Sequence, residues 1–515
     1  MPTKILWADD EIELLKPHVL FLREKGFEVT TVNNGSDAAD LAAESSFDII
    51  FLDENMPGLS GLEALGLIKS AKPSVPVIMI TKSEEETIME DAIGSKISDY
   101  LIKPVNPNQI LLSIKKNLDN RKLINERTTS KYQQAFRDIG MALNDRLDVE
   151  DWKDVYRKLV FWELELESGS DGVMEEILTM QKTDANAYFS KYLSENYIDW
   201  LNGNSDDAPL MSHNVFKEKI LPEIKDQPLY LIVIDNLRYD QWRVIAPALD
   251  EHYHIAEEDI YFSILPTATQ YARNAFFSGL MPSEIQKIHP KLWKNDDEEG
   301  GKNMHEEELL NAQLKRAGKD FKVSYNKITR LDAGKKLADN ISNLANNDLN
   351  VIVYNFVDML SHARTDMEVI KELADNDSAF RSLTQSWFEH SPLKDILENV
   401  AASGGKVMIT TDHGTVQVTD PIKVVGDRNT STNLRYKQGK NLNYDPKEVF
   451  AVTKPEDAFL PKSNVSTSYI FAKEKQYYVY PNNYNHFMNF YKNTFQHGGI
   501  SLEEVLIPIA TLKAK

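Results

Sequence analysis

Three apolar runs between residues 206 and 515 each lead into an aspartate, at Asp235, Asp358 and Asp412. Apolar runs of this length without alternation predict buried parallel strands. In α/β sheets, ligands bind at the edge formed by the carboxyl ends of such strands. Three carboxylates at one edge concentrate negative charge, and that charge needs cations. The sequence therefore predicts a metal-binding edge.

Histidines complete the candidate ligand set. His413 follows Asp412 directly, and His362 lies four residues after Asp358, a spacing that puts both side chains on one face of a helical turn. His497 lies in a glycine-rich loop, QHGGIS. Three carboxylates and three imidazoles are enough for two divalent ions. Zinc suits this mixture of ligands, and manganese is the substitute we consider.

The candidate nucleophile lies between the first two of these aspartates, in the segment PTATQYARNAFFSGLMP. We predict a helix from Thr269 to Gly279, with Pro282 beyond it. A hydroxyl at a helix N-terminus lies beside unpaired backbone N–H groups and the positive end of the helix dipole, which together favour a phosphate. A metal ion on the same hydroxyl would lower its pKa and make it nucleophilic.

The order of these motifs resembles the alkaline phosphatase superfamily, and within it the PglZ branch. The resemblance implies an alkaline-phosphatase-like α/β domain with two metal clusters, one of Asp235, Thr269, Asp412 and His413, the other of Asp358, His362 and His497. PTAT followed by GLMP is most similar to the nucleotide pyrophosphatase/phosphodiesterase pattern. There the second threonine, here Thr269, is the nucleophile, and Thr267 becomes a turn or capping residue. A threonine nucleophile favours diesters over monoesters by the same analogy.

Cations and aromatic residues interleave between His413 and His497. The candidate substrate-binding residues in this segment are Arg428, Arg435 and Lys437. Cations with aromatic rings can hold phosphates and stack bases, so one interpretation is a wall for a nucleotide or oligonucleotide phosphodiester. The other interpretation is a basic surface loop that balances nearby carboxylates.

The first 118 residues alternate apolar runs with amphipathic stretches five times. This pattern predicts a flavodoxin-like (βα)5 domain, with a parallel sheet covered on both faces. The predicted strands are 5–7, 27–32, 48–52, 75–80 and 100–102, and the predicted helices are 11–25, 34–44, 61–72, 84–93 and 107–118.

Polar residues follow the predicted strands of this domain. Asp9, Asp10 and Asp53 form a carboxylate cluster suited to Mg²⁺. Asp53 is then placed as the nucleophile toward a phosphoryl donor. Lys103 can pair with the phosphoryl oxygens, and the Thr81 hydroxyl can donate to one of them.

The first domain resembles the receiver domain of two-component response regulators along its whole length, in ADDE, FLDENMPGLSG, IMITK and DYLIKP. The resemblance implies phosphorylation of Asp53 by a sensor histidine kinase. It also implies that Tyr100 is the switch aromatic coupled to Thr81, and that phosphorylation favours a homodimer.

Residues 119–205 carry helical apolar spacing and no strand signal, which predicts a helical-bundle linker between the receiver and a third domain, residues 206–515. Acidic residues outnumber basic ones in the linker, which argues against a DNA-reading helix.

Bulk composition limits the remaining classes of function. The net charge of −21 argues against a general nucleic-acid or anionic-membrane surface. The sequence has 0 cysteines, which excludes disulfides and thiolate metal sites and fits the cytoplasm. No apolar run approaches the length of a membrane-inserting helix.

The three parts in this order resemble the PorX-type response regulators of gliding and secreting bacteria. The resemblance implies control of type IX secretion and contact with a sigma factor. Two alternatives stay open at this point. One is a phosphomonoesterase on the same scaffold, and the other is a non-catalytic adaptor that binds a sigma factor or a secretion component.

Overall fold

The computed structural model describes residues 3–73, 75–82, 97–167, 173–225, 227–296, 298, 300–427 and 430–515. The predicted helix 84–93 and the candidate substrate residue Arg428 lie outside these ranges. The chain forms two compact units, residues 1–135 with 165–175, and residues 136–164 with 176–515. The segment predicted as a linker is therefore divided between the units.

The first unit contains a five-stranded parallel sheet in the order β2-β1-β3-β4-β5. Its central strands are buried throughout, as their β-branched and apolar runs predict. Trp7 is fully buried between the sheet and its covering helices. The strands are β1 Lys4–Ala8, β2 Glu28–Val32, β3 Ile49–Asp53, β4 Val77–Thr81 and β5 Asp99–Ile102.

Three helices of this unit are α1 Lys16–Glu24, α2 Gly35–Glu44 and α3 Gly61–Ala71. The predicted start of the first helix at Glu11 was wrong. Pro17 lies at the start of the observed helix, where its missing N–H costs no hydrogen bond. The Glu11 amide instead donates to the Asp9 carboxylate, which keeps the preceding turn in place.

The fifth helix of the first domain does not end at Leu118 as predicted. It continues as one helix, α4 Pro107–Asn144. Neither glycine nor proline interrupts the sequence between Pro107 and Gly140, so nothing local stops the helix. Two further helices follow, α5 Val149–Glu167 and α6 Val173–Leu201.

The second unit contains a six-stranded sheet in the order β7-β18-β10-β6-β9-β8. Strands β10, β6, β9 and β8 are parallel, and β18 is antiparallel to both of its neighbours. Ile232 in β6 lies opposite Ile409 in β10 and Ile352 in β9, so these three strands end at the same edge. The strands are β6 Leu229–Ile234, β7 Tyr253–Phe262, β8 Val323–Ile328, β9 Leu349–Tyr354, β10 Lys406–Thr410 and β18 Leu506–Ala514.

Three smaller sheets pair β11 with β17, pair β12 with β16, and join β13, β15 and β14. Their bounds are β11 Val416–Gln417, β12 Asp420–Lys423, β13 Tyr436–Lys440, β14 Val449–Val452, β15 Thr467–Ala472, β16 Gln476–Val479 and β17 Phe495–Gln496.

Further α-helices follow in the described part of the second unit. They are α7 Ser212–Val215, α8 Tyr239–Ile245, α9 Thr269–Ser278, α10 Pro282–Ile288, α11 Glu306–Arg316, α12 Leu331–Asn340, α13 Phe356–Asp366, α14 Glu368–Leu373, α15 Asp377–Glu389, α16 Pro392–Ala402, α17 Tyr484–Tyr491 and α18 Leu502–Val505. Within the described ranges, no helix is both long and apolar enough to cross a membrane.

The sequence suggested that the whole apolar run before Asp358 is a strand. The structure shows a strand followed by a helix. Strand β9 ends at Tyr354 and helix α13 begins at Phe356, so Asp358 lies in the first turn of that helix. The apolar residues after Tyr354 are buried by helix packing, a state that a run of hydrophobic residues does not distinguish from a strand.

Candidate functional site

The candidate nucleophile begins helix α9. Ala268 before it is extended, and Gly279 after the helix adopts a left-handed conformation with φ of 62°. Glycine adopts that conformation without steric cost, which explains where the helix stops. The predicted helix and its glycine stop are confirmed. Thr269 therefore lies at the N-terminus, beside backbone N–H groups that have no partner within the helix.

Three side chains meet around the Thr269 hydroxyl, those of Asp235, Asp412 and His413. The Thr269 Oγ1 atom lies 3.4 Å from Asp235 Oδ1 and 3.1 Å from His413 Nε2. The same His413 nitrogen lies 3.7 Å from Asp412 Oδ2. Asp235, Asp412 and His413 are buried, and each has a ligand atom within 4.8 Å of the other two. These atoms converge on one point, as a first metal cluster requires.

The other oxygen of Asp235 is held away from that point. Asp235 Oδ2 lies 2.6 Å from an Arg273 guanidinium nitrogen, and it accepts from Asn355 Nδ2 at 2.9 Å. Arg273 also binds Glu306, which in turn accepts from Lys327 Nζ at 2.9 Å. Contacts to the oxygen that faces away from the metal fix the orientation of a ligating carboxylate and tune its affinity for metal.

Both ring orientations favour the same nitrogen as ligand. His413 Nδ1 lies 3.1 Å from the Gly414 carbonyl oxygen, and His497 Nδ1 lies 3.2 Å from the Thr267 carbonyl oxygen. A carbonyl oxygen accepts only from a protonated ring nitrogen. In the neutral tautomer Nε2 of each ring therefore keeps its lone pair, as a metal ligand requires.

The second cluster consists of Asp358, His362 and His497. The Asp358 Oδ1 atom lies 3.5 Å from His362 Nε2 and 3.8 Å from His497 Nε2. Asp358 and His362 lie one turn apart on α13, as their spacing predicted. The Thr267 hydroxyl accepts from the Gly498 amide at 3.0 Å and donates to the Gly499 carbonyl at 2.9 Å. Thr267 thus holds the glycine loop that presents His497.

The two clusters are adjacent. The rings of His413 and His497 stack with 4.4 Å between their centroids. Asn236 connects the clusters in a left-handed backbone conformation, with φ of 65°. Its amide N–H lies 3.4 Å from Asp412 Oδ1, and its side-chain nitrogen lies 3.4 Å from Asp358 Oδ1. The arrangement fits two cations that face one phosphoryl group.

The donor set fits metal ions on electrostatic grounds. Burial raises the pKa of Asp235 above its usual range, although Arg273 opposes the shift. Burial and then the Asp235 charge raise the pKa of Asp358 to about 6. Burial, followed by the nearby His413 and His362 rings, holds the pKa of His497 well below its usual range. A bound cation would favour the charged carboxylates and the neutral imidazole.

Unpaired oxygens point to the same conclusion. Asp412 Oδ2, Asn236 Oδ1 and Asn355 Oδ1 are buried and accept no hydrogen bond from the described residues. A buried oxygen without a partner is costly, so such atoms in an active centre call for a ligand.

The candidate phosphorylation site of the first unit lies at the carboxyl ends of β1, β3 and β5. The Lys103 amine lies 2.9 Å from Asp9 Oδ2 and 3.0 Å from Asp53 Oδ1. Carboxylate oxygens of Asp9, Asp10 and Asp53 lie within 4.8 Å of one another, as a magnesium site requires. The pKa of Asp53 is raised to about 6, and burial is the main cause. The hydrogen bond from Lys103 lowers this pKa, while the charge of Asp9 raises it.

Thr81 and Tyr100, the predicted switch residues, lie on the neighbouring strands β4 and β5. Thr81 ends β4, and its hydroxyl donates to the Glu54 carboxylate. Tyr100 lies on β5 next to β4, and its side chain is 41% exposed. The switch itself stays a prediction.

The two described candidate substrate residues, Arg435 and Lys437, make hydrogen bonds within the protein. Arg435 is fully buried, and its guanidinium binds Glu504 and the carbonyl oxygens of Lys473 and Gln476. These contacts give Arg435 a structural role under the glycine loop, in place of the predicted substrate contact. Lys437 Nζ donates to the Ser431 carbonyl at 2.9 Å, and burial lowers its pKa to about 8.

Comparison with known proteins identifies the fold of the second unit. The family model of the BREX system PglZ alkaline phosphatase-like domain matches residues 215–512, more than half of the chain. The chain belongs to the PglZ family. The PorX response regulator linker domain matches residues 122–201, and the response regulator receiver domain matches residues 5–115. The three matches give a PorX-type architecture, in which a receiver domain and a linker domain precede an alkaline phosphatase-like domain.

Two curated relatives match a stretch about as long as the receiver domain. The chain is 32% identical over 113 residues to the transcriptional regulatory protein ResD of Bacillus subtilis, covering 22% of this chain and 47% of ResD. It is 31% identical over 115 residues to SrrA of Staphylococcus aureus, covering 22% of this chain and 47% of SrrA. The chain thus spans about half the length of these curated relatives.

Among solved structures, the chemotaxis protein CheY4 of Vibrio cholerae is 28% identical, with a TM-score of 0.22, covering 23% of this chain and all of CheY4. A receiver domain from Clostridium thermocellum is 30% identical, with a TM-score of 0.23, covering 24% of this chain and 98% of that one. The receiver assignment itself rests on the family model and the five-stranded parallel sheet.

The sequence analysis missed two residues of the PglZ domain. Asn236 was not singled out, although it follows Asp235 directly at a strand end where left-handed asparagine is common. Arg273 was also missed. Its signal was the single charged residue of the predicted helix, one turn after Thr269.

Proposed function

We propose that the PglZ domain is a zinc-dependent phosphodiesterase whose nucleophile is Thr269, and that phosphorylation of Asp53 controls it. The observation that carries the proposal is the Thr269 hydroxyl, which lies at the start of a helix, 3.4 Å from Asp235 and 3.1 Å from His413. The second cluster lies next to the first, with stacked rings 4.4 Å apart.

The proposed reaction is a displacement in two steps, and each group of the site has a separate role in it. The Thr269 oxygen attacks phosphorus in line and forms the new P–O bond, while the bond to the departing alkoxide breaks. Asp235 Oδ1 accepts a hydrogen bond from the Thr269 hydroxyl, so it is placed to orient the hydroxyl toward phosphorus. The hydroxyl proton goes to solvent water, and the departing alkoxide takes a proton from solvent water. Backbone N–H groups at the start of α9 bind the phosphoryl oxygens. Water then hydrolyses the phospho-threonine, which restores the hydroxyl and releases a monoester.

Zinc is the metal that we propose for both clusters, with manganese as the substitute. Mixed imidazole and carboxylate ligands suit zinc, and Asp358, His362 and His497 are such a set. When bound, the ions would supply positive charge at the attacking and the leaving oxygen. Magnesium is the proposed ion at Asp9, Asp10 and Asp53, because that cluster offers only oxygen ligands.

The proposed control extends to partners. A receiver domain supports phosphorylation by a sensor histidine kinase and assembly into a homodimer. The match to the PorX linker domain supports a role in type IX secretion and contact with a sigma factor. The proposed substrate is a nucleotide or oligonucleotide phosphodiester, by analogy with the PTAT motif of nucleotide pyrophosphatases/phosphodiesterases.

Paired substrates test the proposed activity. With zinc, the purified chain should hydrolyse bis(p-nitrophenyl) phosphate faster than p-nitrophenyl phosphate, and a chelator should abolish both activities. Thymidine 5′-monophosphate p-nitrophenyl ester should show a lower KM than the simple diester. A faster monoester would replace the diesterase with a phosphomonoesterase. Equal KM values for the two diesters would remove the nucleotide from the proposal.

A further inference from the structure

One helix of the PorX-type linker segment, α6, contacts the loop that follows His497. The Asn186 side-chain oxygen accepts from the Leu502 amide at 2.8 Å, and its nitrogen donates to the Glu503 carboxylate at 3.1 Å. Asn186 is 2% exposed and Glu503 is 6% exposed. Both partners of this pair are buried, so neither can exchange its hydrogen bonds for water without cost.

The same face of α6 makes two further contacts. Ser190 Oγ donates to the Ile500 carbonyl at 3.3 Å, and the Tyr197 hydroxyl accepts from the Leu265 amide at 2.8 Å. Asn186, Ser190 and Tyr197 are spaced by four and seven residues, which places them along one side of a helix. Leu265 lies directly before the PTAT segment. One helix thus contacts both the residues that follow His497 and the residue that precedes the PTAT segment.

Short links join these contact points to the metal ligands. The Gly499 amide donates to Glu504 at 2.8 Å, and Ser501 caps α18, so residues 499–504 are one tied segment. Gly414 donates to the Glu504 carbonyl at 3.1 Å, which joins that segment to the residue after His413. The Glu503 charge is itself balanced, since Lys182 on α6 lies 3.9 Å away.

We propose that α6 is part of the metal centre of the PglZ domain, and that Asn186 is a positioning residue for His497. Asn186 holds Leu502 and Glu503 in place, Thr267 holds Gly498 and Gly499, and His497 is fixed between these anchors. The inference rests on the proposed function in one respect, namely that Asp358, His362 and His497 bind zinc.

The position of Asn186 has a consequence for control. A displacement of α6 along its axis moves the segment that follows His497, without any change to the ligands themselves. Zinc affinity of the second cluster is then a property of the linker helix as well as of its three ligands. Contacts behind a ligand typically change metal affinity about 10- to 100-fold.

The test uses a reversal of the hydrogen bond. Asn186→Asp places a second carboxylate against Glu503 and removes the donor. The double variant Asn186→Asp/Glu503→Gln restores one donor and one acceptor with their direction exchanged. Lys191→Ala, at an exposed position on the same helix, is the matched control. Ser190→Ala is a milder variant that tests the same anchor if Asn186→Asp fails to fold.

Zinc affinity of the full chain is measured by competition with a chromogenic chelator, and Asp358→Asn identifies which constant belongs to the second cluster. Asn186→Asp should weaken that constant about 10- to 100-fold, and should weaken the first cluster less. Ser190→Ala should weaken it less, and the double variant should recover it. In the metal-free chain, hydrogen exchange of the Leu502 amide should be faster in Asn186→Asp than in Lys191→Ala.

Unchanged constants in Asn186→Asp, equal weakening of both clusters, or no recovery in the double variant would each overturn the inference alone. A wild-type chain that binds no zinc would overturn the proposed function, and this inference with it.

Discussion

The two oxygens of Asp235 have different partners. Oδ1 faces Thr269 and His413, while Oδ2 is bound by Arg273 and Asn355. This division leaves a single oxygen for a metal ion and fixes the carboxylate plane. Arg273 suits the second position, because its charge is permanent and its planar group binds Glu306 at the same time. Residue chemistry at this centre therefore depends on contacts behind the ligands.

The pKa of Asp53 near 6 makes phosphorylation sensitive to pH. Asp53 must be deprotonated to attack phosphorus and to bind Mg²⁺. With a pKa of about 6, about three-quarters of Asp53 is protonated at pH 5.5 and about one-thirtieth at pH 7.5. We expect the initial rate of phosphorylation by phosphoramidate, at low magnesium, to fall about fourfold over this range.

Phosphate-affinity gels measure that rate, with Asp53→Asn as the blank at each pH. Saturating magnesium favours the charged carboxylate, so it should move the midpoint below pH 6. A rate that stays constant between pH 7.5 and 5.5 at low magnesium would contradict the raised pKa.

At the scale of elements, the loop after β10 and helix α18 approach each other closely at Gly414. A Cβ atom at that position would overlap with the Glu503 carbonyl oxygen. Gly414→Ala should therefore displace His413 or α18 and lower the free energy of unfolding by about 2 kcal/mol or more. Denaturant unfolding of the second unit measures the loss.

Gly140→Ala is the matched control for that substitution. Gly140 lies inside α4, and a Cβ atom there meets nothing within 4 Å. Alanine in a helix interior should stabilise by about 1 kcal/mol relative to glycine. If Gly414→Ala unfolds at the same denaturant concentration as Gly140→Ala, the close approach at Gly414 does not constrain the site.

Elements with local signals were predictable from the sequence. Helix α9 was, because Thr269 and Gly279 mark its ends. The continuation of the predicted helix 107–118 into the linker was not, because the domain boundary was placed where no helix-stopping residue lies. Asp358 was predicted as a ligand but assigned to a strand end, since an apolar run fits a strand or a buried helix equally well.

Contacts between segments that are distant in the chain could not be predicted from the sequence. The partners Asn186 and Glu503 are separated by 317 positions. Each taken alone is an ordinary polar residue, and only the folded chain places them together. Arg435 illustrates the converse, since its charge and aromatic neighbours suggested a substrate wall, while its partner Glu504 lies in another segment.

At the scale of the whole molecule, the receiver domain predicts a change of assembly. Beryllofluoride with magnesium mimics a phosphoryl group on aspartate. It should convert a monomer of 58.8 kDa into a particle of twice that mass, as measured by light scattering after size exclusion. Asp53→Asn should remain monomeric under the same conditions. A wild-type mass that does not change at micromolar concentration would contradict phosphorylation-linked dimerisation.

The central claim is that Thr269 is the nucleophile of a zinc-dependent diesterase. The most direct test is hydrolysis of bis(p-nitrophenyl) phosphate by zinc-loaded wild type, Thr269→Val and Thr269→Ser. Wild type should be active, Thr269→Val should lose at least about 1,000-fold in kcat, and Thr269→Ser should keep activity within about tenfold. A Thr269→Val variant that turns over like wild type, or an inactive wild type with both clusters filled, would contradict the account.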